Sequence, residues 1–317
     1  MSGRLYTSIY KLKNIQSLED IRNWKNFQFK EPVKHSEKME EEFNKLPDNE
    51  KFYIYSWEEI REIQSIPTAN KGKEIQFIES SIRIEYATKR IFDANHKFLP
   101  KNERINKDTI SVIFFELDKE IYILIQESRL KQIERVIDLI GEKNIVKSDW
   151  KLSSDFFNWL VYLYSEYNGK ISESFTISAI SGFTGNVFDN DNIVSSKSME
   201  TIKLIATRAF ISTGGILREV SVILEDSDNC SICFKINNEC STVIAINNSV
   251  RYVSVNALKK EEYLLLYVYT YLIPLLRNLF IKNQQNFVTK KKQFAKKIGI
   301  QVVKEVMEEN SIEKSEL

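Results

Sequence analysis

The chain is short of the residues that most often announce a function. Its 317 residues hold two histidines, three cysteines, nine glycines and five prolines. So little glycine and proline excludes collagen-like, linker-like and Gly-rich repeat architectures. No period of 20 to 50 residues marks a solenoid or propeller. His35 and His96 are the only imidazoles, and neither lies in a G-x-S-x-G or catalytic-cysteine context, so nucleophilic catalysis by a Ser-His-Asp or Cys-His set has almost no general base. The glycines of SGFTGN (Gly182, Gly185) and STGG (Gly214, Gly215) do not complete a phosphate-cradling G-x-x-x-x-G-K-[ST] or G-x-G-x-x-G loop. No cofactor is therefore expected.

Cys230, Cys233 and Cys240 are odd in number and lie within eleven residues of one another, which suits free thiols in a reducing compartment. A structural zinc would need a fourth ligand from a histidine distant in sequence. On a strand, Cys230 and Cys233 would also point to opposite faces. Residues 1 to 30 contain no apolar run of the kind a secretory signal needs, so a cytoplasmic location is expected.

What is present is an ordinary globular composition, 43% hydrophobic and 28% charged, enough for a sizeable core. The most apolar stretch is Tyr263 to Leu276, fourteen uncharged residues that contain Pro274 and stop at Arg277. It falls short of the roughly 18 to 20 residues that span a bilayer and reads as a buried core helix. Flanking Lys259, Lys260 and Arg277 leave membrane anchoring as the lesser alternative.

Local chemistry suggests the elements. Ser56 and Glu59 fit a capping box opening a helix Trp57 to Gln64, stopped by Pro67. A longer helix is expected around Glu74 to Phe92. The runs ISVIFFEL (Ile110 to Leu117) and EIYILI (Glu120 to Ile125), joined at Asp118 and Lys119, indicate a hairpin buried on both faces. Leu130, Ile133, Ile137 and Ile140 recur at helical spacing from Arg129 to a Gly141 stop. A second helix runs from Asp155 to Tyr167, with Ser154 as N-cap and a core-facing stripe of Phe156, Trp159, Leu160, Leu163, Tyr164 and Tyr167.

After Gly169 the texture becomes strand-rich: Phe175 to Phe183, a helix Met199 to Ile211 stopped by Gly214, then Ile216 to Leu224, Ser231 to Ile236, Thr242 to Ile246 and Val250 to Val255 as an antiparallel meander. The expected fold class is α+β in three parts. These are a mixed α/β domain with a buried hairpin over 1–168, a strand-rich domain with its meander packed on a helix over 169–256, and a C-terminal helical extension over 257–317.

Charge supplies the functional lead. The formal charge of the whole chain is only +1, yet no Asp or Glu occurs between Tyr263 and Lys304, where Arg277, Lys282, Lys290, Lys291, Lys292, Lys296, Lys297 and Lys304 stand. Setting those eight aside leaves the rest at net minus seven. In FVTKKKQFAKKIGIQVVK, Phe287, Phe294, Ile298 and Val302 share one helical face, so the helix can dock and still present Lys290, Lys291, Lys292, Lys296 and Lys297 to the phosphates of DNA or RNA. The alternatives are a solvated or intramolecularly paired face, or a contact for a protein partner or second copy. Glu305 to Leu317 read as a solvated acidic tail.

A second class of function rests on carboxylates. Glu116, Asp118 and Glu120 at the hairpin tip, or Asp189 and Asp191 in VFDNDN, offer hard oxygen ligands for a metal-dependent nuclease or phosphodiesterase. The E-x-K signature of restriction-type nucleases is missing, and a turn favours acidic residues anyway. A Lys/Ile/Asn-rich composition without housekeeping motifs suggests a third reading, an interaction subunit of a bacterial anti-phage defence system. The leading expectation is a non-catalytic, phosphate-contacting regulatory protein.

Overall fold

A computed structural model describes residues 3–67, 74–187, 192–198, 200–253 and 258–316. It shows an α+β protein of two compact units, one built from residues 7–67 and 74–149, the other from residues 3–6 and the described residues from Trp150 onward.

The unit of residues 7–149 contains β1 (Arg4–Leu12, from Thr7 onward), α1 (Leu18–Arg22), β2 (Gln28–Pro32), α2 (Glu40–Asn44), β3 (Phe52–Ile60) and β4 (Gln64–Pro67). It continues with β5 (Glu74–Ala87), α3 (Lys101–Arg104), β6 (Ile105–Leu117), β7 (Glu120–Ile125), α4 (Leu130–Ile140) and β8 (Ile145–Lys147). Its antiparallel sheet runs β1-β7-β6-β5-β3-β2, with β4 beside β5 and β8 beside β1.

The β6–β7 hairpin forms as expected. Val112 to Phe115 and Ile121 to Ile125 are all buried. Leu117 pairs with Glu120 across a two-residue turn in which Asp118 and Lys119 both have positive φ, 52° and 67°, the twist that matches a hairpin. Helix α4 covers the sheet with Ile133, Val136, Leu139 and Ile140. Gly141, at φ 88°, closes the helix by donating its N–H to Ile137. Leu130, expected on the apolar face, is instead 74% exposed.

Two expected helices are strands. Trp57 to Gln64 lies in β3 and its continuation into β4, and Glu74 to Ala87 is the central strand β5. In β3 the buried residues are Tyr53, Tyr55 and Trp57, every second position, and the aromatic and β-branched side chains fit the pleated surface. Ser56 pairs with Gln28 and Arg83 in the ladder rather than capping a helix. Strand β5 is held on both edges, by β3 and by β6, and those non-local hydrogen bonds outweigh a helical preference read over a short window.

The other unit contains α5 (Ser154–Glu166), β9 (Phe175–Asn186), β10 (Ile193–Lys197), α6 (Ile205–Ser212), β11 (Ile216–Asp226), β12 (Cys230–Asn237), β13 (Thr242–Ala245), β14 (Val250–Arg251), α7 (Lys260–Tyr267) and α8 (Ile273–Glu309). Helix α5 packs on β9, β11 and α8 and so falls in the compact unit that includes the residues from Trp150 onward. The N-cap is Ser153, whose hydroxyl accepts from the Phe156 N–H, one residue before the Ser154 expected.

The sheet order is β10-β9-β11-β12-β13, with β14 on the same edge of β12 as β13. Val220, Val222, Leu224, Ile232, Phe234 and Ile236 form its buried face, as their alternation implied. The helix expected over Met199 to Ile211 is shorter: Thr201–Lys203 is a 3-10 turn ahead of α6, and Met199 lies outside the described residues.

Helices α7 and α8 join through a π-helical turn at Val268–Leu272 into one run, Lys260–Glu309. Pro274 lacks an N–H and its ring crowds the carbonyl four residues back, Thr270, so the wider turn just before it relieves a break in the helix. This run is long and apolar enough by length and composition to cross a membrane, but 61% of its apolar window is buried within the protein. Tyr267 donates to Asp226 at 2.5 Å and Tyr269 to the Cys240 carbonyl at 2.9 Å, tying the apolar segment to the sheet. The acidic tail is corrected in part: Glu305 to Glu309 remain helical, and Glu305 pairs with Arg208.

Candidate nucleic-acid interface

The basic stretch is the distal part of α8, and its docking face is apolar. Phe280, Phe287, Phe294 and Ile298 are buried, repeating at seven- and four-residue steps. Phe280 meets Phe156 and Trp159 of α5, each at 5.6 Å between ring centroids, and Phe287 and Phe294 meet Tyr162 at 5.5 and 5.2 Å. The α5 aromatics thus serve packing, as expected, although Tyr167 at the end of that stripe is exposed.

This docking decides which lysines remain available. Lys291 reaches Asp155 at 2.5 Å and Lys297 reaches Glu166 at 2.8 Å. Asp155 and Glu166 sit at opposite ends of α5, so that helix neutralises two of the five lysines expected to touch phosphate. Lys290 lies beside Tyr167, whose hydroxyl is held below its ordinary range by a hydrogen bond with Tyr162 and by the Lys290 charge. Burial pushes the partner hydroxyl, Tyr162, up to about 12. Arg277 stacks over Trp150.

Lys292 and Lys296 point outward without a carboxylate partner among the described residues, and so does Lys282. At 100° per residue, Lys282, Lys292 and Lys296 fall within a sector of about 80° and extend over about 21 Å of helix. Lys282 was not among the expected contacts. Its signal was the ten- and fourteen-residue spacing to Lys292 and Lys296, which places it nearly in phase. Exposed Ile281, Val288, Ile300 and Val303 lie along the outward half of the same helix.

The carboxylate readings fare differently. Glu120 is taken by Lys11 at 3.0 Å. Asp118 occupies a left-handed turn position that Asp tolerates. Glu116 and Asp118 line a shallow groove of about 370 Å³ with Glu74. Among the described residues no three His, Cys, Asp or Glu side chains converge as a metal would require. Asp189 and Asp191 lie outside the described residues.

The cysteines belong to one unit and the histidines to the other. Cys230 and Cys240 are fully buried, and burial pushes both thiols up to about 12. Cys233 faces the opposite side of β12 and is half-buried. His35 bonds to the Val33 carbonyl and to Glu40, at 3.0 and 2.8 Å, and stacks on Phe43. His96 sits in a turn at φ 60°.

No protein-family model and no curated protein matches the chain. Among solved structures, a crystal structure of the di-domain ARO/CYC StfQ from the steffimycin biosynthetic pathway aligns over 92% of this chain and 98% of that one, at 8% identity and a TM-score of 0.16. A likeness at that level carries nothing about fold or function.

Proposed function

We propose that the protein is a non-catalytic binding protein that contacts nucleic-acid phosphates through the outward row of α8, with Lys282, Lys292 and Lys296 as the contacts and Lys290 and Lys304 at its flank. The supporting observation is that a helix docked by Phe280, Phe287, Phe294 and Ile298 turns those three ammonium groups to solvent with no carboxylate partner among the described residues. Each lysine that neutralises a phosphate releases condensed counterions, so affinity is sequence-independent and falls with salt. Lys291 and Lys297 are assigned instead to docking α5. Fluorescence anisotropy with labelled DNA and RNA, duplex and single-stranded, at several salt concentrations tests this. Binding that weakens on Lys292→Ala/Lys296→Ala supports it, and absence of binding at low salt removes it.

A second reading draws on the exposed Ile281, Val288, Ile300 and Val303 beside these lysines. An apolar and basic helix face also suits an acidic, amphipathic segment of a protein partner. Co-purification from the native cell that is lost on Ile300→Asp/Val303→Asp would favour it.

A further inference from the structure

The sheet of the C-terminal unit has a second face, and its residues are not used by the α8 proposal. Strand register places one row straight across it: Lys197 opposite Gly182, Gly182 opposite Ser221, Ser221 opposite Lys235, and Lys235 opposite Val243. Directly paired residues share a face, so two lysines flank a serine hydroxyl. With strands about 4.8 Å apart, the lysine α-carbons are about 14 Å from each other, a separation that two long side chains can close upon a group between them.

Three features make this row a concave site rather than a flat solvated sheet. Strand β9 bulges at Ser181, where Val222 pairs with Ile180 and Ser221 with Gly182, bringing one more hydroxyl to the row. Gly182 is required beneath it, since a Cβ there would lie 2.8 Å from the Ser196 carbonyl and 3.5 Å from the Ser221 hydroxyl. The third feature is the neighbouring strand. Arg4 and Tyr6, two residues apart on β1 beside β13, border a groove of about 780 Å³ together with Asn247, a volume within the range of small-molecule sites.

The chemistry of the groove is that of an anion acceptor. Glu219 holds Lys235 at 3.0 Å and is itself fixed by the Thr184 hydroxyl at 3.1 Å, while Lys197 has no ion pair among the described residues. Lys197 and Lys235 against Glu219 leave a positive excess. Ser181, Ser221 and Asn247 add neutral donors. Lysine point charges with hydroxyl donors suit the many oxygens of a phosphate group, and the exposed Tyr6 ring offers a flat ring a stacking surface. Cys233 lines the floor, but burial raises its thiol above the ordinary value, which disfavours the nucleophilic thiolate. Binding rather than thiol chemistry is what the groove is equipped for.

We infer that this groove is a binding site for a phosphorylated small molecule carrying a flat ring, of the size of a nucleoside diphosphate, with phosphate between Lys197, Ser221 and Lys235 and the ring against Tyr6. The inference does not rest on α8, and its test separates the two. Calorimetry on the full chain uses adenosine diphosphate, inorganic pyrophosphate and adenosine as probes. Both phosphates are expected to bind, and adenosine at least tenfold more weakly than its diphosphate. Lys197→Ala and Ser221→Ala should each weaken both phosphates tenfold or more, whereas Lys292→Ala/Lys296→Ala should leave them unchanged. Cys230 and Cys240 are fully shielded, so Cys233 reports occupancy without any mutation. Saturating diphosphate should slow its reaction with a thiol reagent several-fold. No binding of either phosphate at millimolar concentration, affinities indifferent to Lys197→Ala, or an unprotected Cys233 would each overturn the assignment.

Discussion

The most discriminating measurement on α8 is the salt dependence of nucleic-acid binding, because it counts contacts. For duplex DNA, log K falls against log salt with a slope of about −0.9 per phosphate neutralised. Three outward lysines give a slope of about −2.7, a loss of about 40-fold between 50 and 200 mM salt. Five lysines acting together, as the sequence pattern suggested, would give about −4.5 and a loss of about 500-fold. Removing Lys292 and Lys296 should reduce the slope to about −0.9. Removing Lys291 and Lys297 should leave it unchanged, since their charges are spent on Asp155 and Glu166. That second pair of changes should instead lower stability, by about 0.2 to 1 kcal/mol for each partly exposed bridge. Anisotropy with a labelled duplex of about 20 base pairs, read at four salt concentrations, gives every slope. A slope near −4.5 in the wild type that collapses on Lys291→Ala/Lys297→Ala would refute the division of labour drawn here.

Further tests follow from the rest of the molecule. Tyr267→Phe removes a buried hydrogen bond to Asp226 and should cost about 1 to 3 kcal/mol in urea unfolding; an unchanged midpoint would contradict the tie between α7 and the sheet. Lys119→Gly relieves a left-handed residue in the β6–β7 turn and should stabilise by up to about 1 kcal/mol, which differential scanning calorimetry can read. His35 is raised above its ordinary value by the Val33 carbonyl and Glu40. The stability it contributes is therefore full below pH about 6.5, the unfolded value, and is lost as pH rises through the higher folded value. NMR titration of the imidazole, with His35→Gln as control, checks the sign. A thiol reagent should find one cysteine in the native protein and three after denaturation, because Cys230 and Cys240 are shielded and only Cys233 is half-exposed.

Part of this architecture could be read before any coordinates. The β6–β7 hairpin, α4 with its Gly141 stop, α5 and the β11–β12 alternation each carry a local signature: a near-continuous apolar run, a 3.6-residue period, a left-handed stop or a strict alternation. Strands β3 and β5 carried none that was unambiguous. Ser56 and Glu59 mimic a capping box, and the residues that overrule it, Gln28 and Arg83, are 28 and 27 positions away from Ser56. The placement of α5 was hidden for a related reason, since it looks the same in sequence whichever unit it packs on.

The same distinction runs through the functional surface. Composition established that α8 as far as Lys304 is basic, acid-free and amphipathic, because those are properties of residues in order along one helix. Which ammonium groups stay available was settled elsewhere, by Asp155 and Glu166 on a helix more than a hundred residues away. The row Lys197–Ser221–Lys235 likewise exists only through strand register. Periodicity is inherited from the chain, but charge compensation and cross-strand neighbourhood act through space, and folding brings together groups that no window of sequence contains.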